Sequence, residues 1–297
     1  MNILEKRVDF WISRSKAAKE EYESLTCVER HSIDLLSSTD SLNLSMIFGS
    51  DLIRPNGVEK SVSREEQILR VLGMLSHKSQ STPKPYKENA DGQHPGMVFI
   101  PHGPAQIGVN NGLFAKEEPQ RTVVTKGFWI DIDPVTNLEY EIAVGRHRRD
   151  IHSKADDSPV TAVTWFEAQK YCSVVGKRLP TSVEWERASR SDTGWLYSVS
   201  ADFNSEQINA WPSHGPWRSE GQPRNSWGIA LMAGNVWEWT WGVFKHTFGE
   251  SRNVYFALVR GGSWRHCSSG ARVVSDLAID LVQRCDNIGF RCVLPAY

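Results

Sequence analysis

From Gly96 to the C-terminus the chain breaks into short β-rich runs separated by turn signals, and this texture limits its possible folds more than any other feature. Met97-Val98-Phe99-Ile100 stops at Pro101 and Gly103-Pro104, Asn110-Asn111-Gly112 marks a turn, and Thr122-Val123-Val124 leads into Phe128-Trp129-Ile130. Such runs need a frame of large side chains, and the chain carries 12 Trp in 297 residues, against roughly 1% in average proteins. Clustered tryptophans are core before they are ligand site. Two helices interrupt the strands. Thr164-Trp165-Phe166-Glu167 is a capping box opening a helix with Ala168, Tyr171, Cys172 and Val175, with Gly176 at its C-cap. Thr181-Ser182-Val183-Glu184 is a second box after Pro180, followed by Trp185 and Ala188. Helix capping explains both boxes, so neither marks catalysis.

The N-terminal third reads differently. Leu4, Val8, Trp11 and Tyr22 form an amphipathic stripe, and Ser63 with Glu66 caps a second helix carrying Ile68, Leu69, Val71, Leu72 and Leu75. Residues 1–77 are therefore expected to be a helical module that binds a partner or oligomerises. Residues 78–95 are polar with three prolines and a glycine, which is linker composition. Lys+Arg 34 against Asp+Glu 35 excludes a strongly basic nucleic-acid binder, and 40% hydrophobic residues exclude a wholly disordered chain. No run approaches the roughly 18 apolar residues of a membrane span. The start, Met1 to Lys6, has no apolar leader, so a cytoplasmic location is expected, with surface display by another route as the alternative. Five cysteines without CxxC pairs point to reduced thiols rather than a disulfide framework or structural zinc.

The ordered segments after Gly96 resemble the formylglycine-generating-enzyme (sulfatase-modifying factor) family. They are Gly96 to Pro101, Phe128 to Asp131 with Val135-Thr136-Asn137, Pro159-Val160 with Val163-Thr164-Trp165, and Gly176 to Thr181 running to Glu184-Trp185-Glu186. Gly234-Asn235-Val236-Trp237-Glu238-Trp239, Arg260-Gly261-Gly262-Ser263-Trp264 and Gly289-Phe290-Arg291 complete the set. The resemblance implies an α+β, C-type-lectin-like domain with much irregular loop over residues 96–297.

The family's chemistry must be tested residue by residue. The oxidase resembles a copper enzyme whose thiolates lie three and eight positions after the serine of Gly-Gly-Ser; here those positions are His266 and Ala271, with Cys267 one residue off. One cysteine cannot make a bis-thiolate site. Related ergothioneine-type sulfoxide synthases bind iron through an HxxxH element in an added helical domain. This chain has His31 and His77 there, and His147 and His152 elsewhere, without that pair. A metal-dependent oxidase or sulfoxide synthase is thus the alternative reading. Family members also bind calcium beside Gly-Asn-x-Trp-Glu-Trp; Glu238 is carried over as a ligand, but the upstream Asp or Asn is replaced by Leu231. No catalytic residue and no cofactor is assigned beyond that calcium position.

The C-terminal stretch is unusual in composition. After Glu250 there is no Lys, Glu or Met, and residues 265–282 also lack Trp. The types present are all reachable from an Asn codon by changing its two adenines. This resembles the variable proteins of diversity-generating retroelements, in which a reverse transcriptase mutates template adenines, and several of those share this lectin-like fold. The resemblance implies a non-catalytic recognition protein with a variable region at about 264–288, binding a protein or other macromolecular ligand. Arg265 and His266 are expected as polar anchors, Leu277, Ile279, Leu281 and Val282 as apolar contacts, and Asp276, Asp280 and Asp286 as charge selectors. Cys267, Ser269, Gly270, Ser275, Cys285 and Asn287 complete the expected face. Six Arg against three Asp over residues 251–297 leave a charge too mild to indicate nucleic acid.

Overall fold

The computed structural model describes residues 94–248 and 252–296. The helices expected within 1–77, their partner-binding role and the linker up to residue 93 lie outside the described residues. Three α-helices form in the described part: α1 (Asn137–Val144), α2 (Trp165–Val174) and α3 (Ser182–Arg190). All start the same way. Thr136, Thr164 and Thr181 each accept an N–H from a glutamate three residues on, and each glutamate accepts the cap residue's N–H at 2.8 Å. The reciprocal bonds satisfy two N–H groups that a helix start otherwise leaves open. Sequence reasoning finds α2 and α3 but misses α1, whose Thr136 and Glu139 carry the same signature.

The helices bury tryptophans. Trp165 on α2 donates Nε1–H to the Thr240 carbonyl at 2.9 Å, and Trp239 donates to that of Val163 at 3.1 Å. With their N–H groups satisfied, these rings serve as frame, as the composition implied.

The strands are short and divided among three sheets. β1 (Met97–Ile100), β4 (Phe128–Asp131) and β10 (Val293–Pro295) form an antiparallel sheet with β4 central. β2 (Gly103–Ile107) and β3 (Arg121–Thr125) form a hairpin. The third sheet runs β6 (Phe244–Phe248), β7 (Arg252–Arg260), β5 (Trp237–Trp239) and β9 (Ile288–Gly289), with β8 (Asp276–Asp280) also paired to β7. The core between them gathers Ile100, Phe128, Ile130, Trp185, Ile229 and Met232, and it also takes in Ala271, Val273 and Val274 from the C-terminal stretch. Among the described residues no helix is long and apolar enough to cross a membrane.

Ladders two or three residues long hold little by themselves, and a buried ion pair supplies the missing connection. Glu238 on β5 and Arg291 after β9 are both 0% exposed. Arg291 donates Nε–H and Nη2–H to the two carboxylate oxygens at 2.7 and 2.8 Å. Its other donors reach the carbonyls of Asp131 (3.1 Å), Ile132 (2.9 Å) and Ala230 (2.9 Å). All five guanidinium donors are used. Trp185 of α3 adds its Nε1–H to Glu238 Oε2 at 2.6 Å. One pair thus ties both larger sheets, a helix and the 230 loop together.

This pairing gives Glu238 a structural role. Its carboxylate is held by Arg291 and Trp185 inside the core, with three donors on its two oxygens. Arg291→Met, which leaves Glu238 buried and unpaired, is expected to destabilise the domain by about 3–5 kcal/mol, read from chemical denaturation. A loss under about 1 kcal/mol would show the pair to be dispensable.

Candidate functional site

The C-terminal stretch is gripped by the frame at its middle and released at both ends. Arg260 closes β7 and donates Nη2–H to the Val273 carbonyl at 3.0 Å and Nη1–H to that of Val274 at 3.3 Å. Glu186 of α3 holds that arginine: its Oε2 accepts Arg260 Nη2–H at 2.5 Å, while Oε1 takes Arg190 Nε–H at 3.0 Å and Gly108 N–H at 2.8 Å. A second buried pair joins Arg272 to Glu117 through Nη1 and Nη2 at 3.1 and 2.7 Å. The chain passes so close to the Gly-Gly motif that a Cβ on Gly262 (φ +79) would sit 2.4 Å from the Gly270 carbonyl oxygen. On Gly261 (φ +93) it would sit 2.7 Å from the Trp185 ring, so both positions require glycine. Residues 271–275 are buried as a result.

The expected contact residues therefore divide. Arg265 is exposed, its guanidinium 4.4 Å from the Trp264 ring centroid, and it pairs with Asp286. Cys267, Ser269, Gly270, Asp276, Leu277, Asp280, Cys285, Asp286 and Asn287 are half-buried along the rim. Cys267 is disulfide-bonded, which corrects the expectation of reduced thiols, whereas Cys172, Cys285 and Cys292 are free. Five others are buried: His266, Ser275, Ile279, Leu281 and Val282. Ile279 faces the core side of β8, and Leu281 lies under the start of α2, its carbonyl accepting Trp165 N–H at 3.1 Å. These five leave the set of surface contacts in this conformation.

His266 is the clearest correction. Its ring packs edge-on against Trp237, with centroids 5.3 Å apart. Ser263 Oγ receives Asn287 Nδ2–H at 3.0 Å and Arg265 N–H at 3.4 Å, so its own proton goes to His266 Nδ1 at 2.7 Å. The imidazole is a strut between the Gly-Gly-Ser turn and β5, not a free polar anchor.

Asp276 is likewise committed: Lys116 pairs with it at 2.6 Å, and Arg260 approaches at 3.5 Å. Asp280 Oδ1 accepts Val282 N–H at 3.3 Å. Burial pushes the Cys285 thiol up to about 11, so at neutral pH it is protonated and a poor nucleophile.

The copper positions do not fit that metal. Ala271 offers no donor atom, His266 Nδ1 is committed to Ser263, and no thiolate pair stands at either place. Among the described residues the histidines of the iron alternative are separated as well, and His31 and His77 lie outside those residues. His147 lies beside Tyr140 and Glu141, whereas His152 lies against Trp264. No step of oxidase or sulfoxide-synthase chemistry follows from these residues.

Residues outside the C-terminal stretch complete the rim. Asp150 and His152, on the loop after α1, lie beside Asp286, and the three offer ligand atoms within 4.8 Å of one another. Trp211 is 43% exposed and donates its backbone N–H to the His266 carbonyl at 2.8 Å. Sequence reasoning missed Asp150, His152 and Trp211, because only the fold brings the 150 loop to Trp264 and the 211 loop to His266. The same geometry sets a stability contrast. His266→Ala should cost about 1–3 kcal/mol, since it leaves Ser263 without its acceptor and opens space beside Trp237. Leu277→Ala on the rim should stay within about 0.5–1 kcal/mol. Denaturation midpoints compare the two, and equal losses would contradict the division into strut and rim.

The family of the sulfatase-modifying factor enzyme 1-like domain matches residues 82–296. The inactive C-alpha-formylglycine-generating enzyme 2 of Bos taurus is 27% identical over 299 residues, covering 77% of this chain and 95% of that protein. The serine/threonine-protein kinase pkn1 of Chlamydia caviae is 28% identical over 329 residues; the match covers 98% of this chain but 50% of the kinase. Among solved structures, Treponema denticola variable protein 1 superposes with a TM-score of 0.58 at 19% identity, covering 67% of this chain and 95% of that one. PvdO from Pseudomonas aeruginosa superposes with a TM-score of 0.59 at 20% identity, covering 72% and 99%. At such identities the two structures speak for architecture alone, which is the α+β, C-type-lectin-like one expected from the motifs. The chain belongs to the sulfatase-modifying factor enzyme 1-like domain family.

Proposed function

We propose that this domain is a non-catalytic recognition module. It binds a protein or other macromolecular ligand through the rim formed by Arg265, Cys267–Gly270, Asp276–Ala278 and Gln283–Asn287. The observation that carries the reading is the division of the C-terminal stretch: a buried plug at 271–275, held by Arg260, Glu117 and Gly262, between two half-exposed segments. A frame that fixes its plug by ion pairs and backbone bonds leaves the rim side chains free to change at little cost in stability. Protein paratopes combine a rigid frame with adaptable side chains in the same way. The bovine relative is named as an inactive enzyme, which supports the absence of turnover. The Treponema denticola neighbour is named as a variable protein, which supports a changeable surface.

We further propose that a retroelement reverse transcriptase diversifies this rim. The support is the run of residue types at 265–282 that adenine-directed mutation of Asn codons produces.

The test is genomic. A near-identical, adenine-rich copy of the codons for residues 265–287 should lie close to a reverse-transcriptase gene. Burial adds a finer expectation. Adenines in that copy should concentrate at rim codons such as 265, 269, 277 and 286, and be sparse at 271, 273, 274, 281 and 282. Absence of any template, or adenines spread evenly over rim and plug, would overturn the diversification reading.

A further inference from the structure

We infer that Asp150, His152 and Asp286 form a binding site for a first-row divalent transition-metal cation, of the Zn2+ or Mn2+ kind, at the edge of the rim. This does not rest on the recognition reading, since a cation site there would stand with or without a macromolecular ligand.

Three side chains from two distant parts of the chain converge, each offering a ligand atom within 4.8 Å of the other two. Proximity alone would be weak ground, because half-buried carboxylates often gather without a metal. What separates this cluster from a chance one is that a second group orients each of its members. His152 Nδ1 lies 3.0 Å from the His214 carbonyl oxygen. A carbonyl only accepts, so Nδ1 carries the proton and the Nε2 lone pair is left open in the neutral ring. Metal-bound histidines are commonly held in just this tautomer, by donating their other N–H to a backbone carbonyl. Asp150 Oδ1 accepts the backbone N–H of His152 at 2.8 Å, while its Oδ2 has no hydrogen-bond donor among the described residues. Asp286 Oδ2 pairs with Arg265, and its Oδ1 likewise has no donor among the described residues. The ring of His152 rests against Trp264, with centroids 5.0 Å apart, which fixes its plane. Each residue thus keeps one polar atom occupied and has a second with no hydrogen-bond partner among the described residues.

The donor set selects the class of ion. Calcium takes six or more oxygens and gains little from an imidazole. One imidazole and two carboxylates suit first-row divalent ions, which accept mixed nitrogen and oxygen ligands. In a tetrahedral site with bonds of about 2.0–2.1 Å, ligand atoms stand about 3.4 Å apart. Small rotations of half-buried side chains close the present spacing. Three protein ligands leave at least one coordination position for water or for a group of a bound partner. The cluster holds two carboxylates against the single guanidinium of Arg265, so its charge favours a cation before any ion arrives.

The experiment is a calorimetric titration of the full chain with ZnCl2 in a non-coordinating buffer, repeated with MnCl2. One equivalent of at least one ion should bind. Asp150→Asn, His152→Ala and Asp286→Asn should each weaken that binding by tenfold or more. Melting curves without metal should superimpose on the parent's, because all three positions are half-buried and none is a core strut. If a variant of the 150 loop is misfolded, Asp286→Asn, on a separate segment, still decides the matter. Co2+ gives an independent readout: its visible absorption in the parent chain should change on His152→Ala. The inference is overturned if the parent shows no one-equivalent site. It is equally overturned if folded variants bind like the parent, which would place the ion on other histidines or thiols. Metal binding without any macromolecular ligand leaves the recognition reading untouched, and the template search decides that reading separately.

Discussion

The Arg291–Glu238 pair carries a load that the secondary structure cannot. β5 spans three residues and β9 two, so β5 makes only two-residue ladders with β7 and β9. Burying two charges costs several kcal/mol, and their attraction offsets that only when the remaining donors are also satisfied. Here three backbone carbonyls and the Trp185 indole complete the shell. The pair therefore acts less as a source of net stability than as a fixed joint. Any arrangement that parted β5 from the segment after β9 would strand a buried charge.

The same device recurs, at smaller scale, where the frame meets the C-terminal stretch. Glu186 with Arg260, and Glu117 with Arg272, each turn an arginine toward backbone carbonyls: Val273 and Val274 in one case, Ser269 in the other. Backbone carbonyls are present whatever the side chain, so the Arg260 contacts place the stretch without dictating its sequence. The Arg272 contact differs, because that arginine itself belongs to the stretch. Its loss would leave Glu117, which is nearly inaccessible, as an unpaired buried charge. A segment free to change over all its residues is therefore incompatible with this packing, and the freedom is confined to the rim.

Much of the frame was legible because its causes are local. A Thr followed three residues later by Glu caps a helix by hydrogen bonds within one turn, and tryptophans in fixed motifs announce a core. Helix α1 carries the same box, yet an eight-residue element with exposed Leu138 and Ile142 leaves no apolar stripe to support it. The rim was legible only as a stretch, not residue by residue. Ser275 to Val282 mixes acidic, small and apolar residues. Only the pairing of β8 with β7 decides that Ile279 turns inward while Ala278 is exposed. His266 looked like an anchor because polar residues in loops usually face water; its partners Ser263 and Trp237 come from motifs whose meeting the sequence does not spell out. Asp150 and His152 were invisible for the same reason, being more than a hundred positions from Asp286.

The rim is thus a composite of two kinds of residue. Arg265 and Asp286 come from the stretch whose composition points to diversification, whereas Asp150, His152, Trp211 and Trp264 belong to the surrounding frame. Trp264 is almost inaccessible, and its indole N–H has no acceptor among the described residues, while its ring supports both Arg265 and His152. A change at 265 or 286 would accordingly do more than alter one contact. It would free or reclaim a carboxylate beside His152 and uncover or cover the indole face. A few varied positions acting on fixed aromatic and imidazole groups can produce a wider range of surfaces than the same positions on an inert support. The constancy of the frame is what gives each variation at the rim a defined chemical consequence.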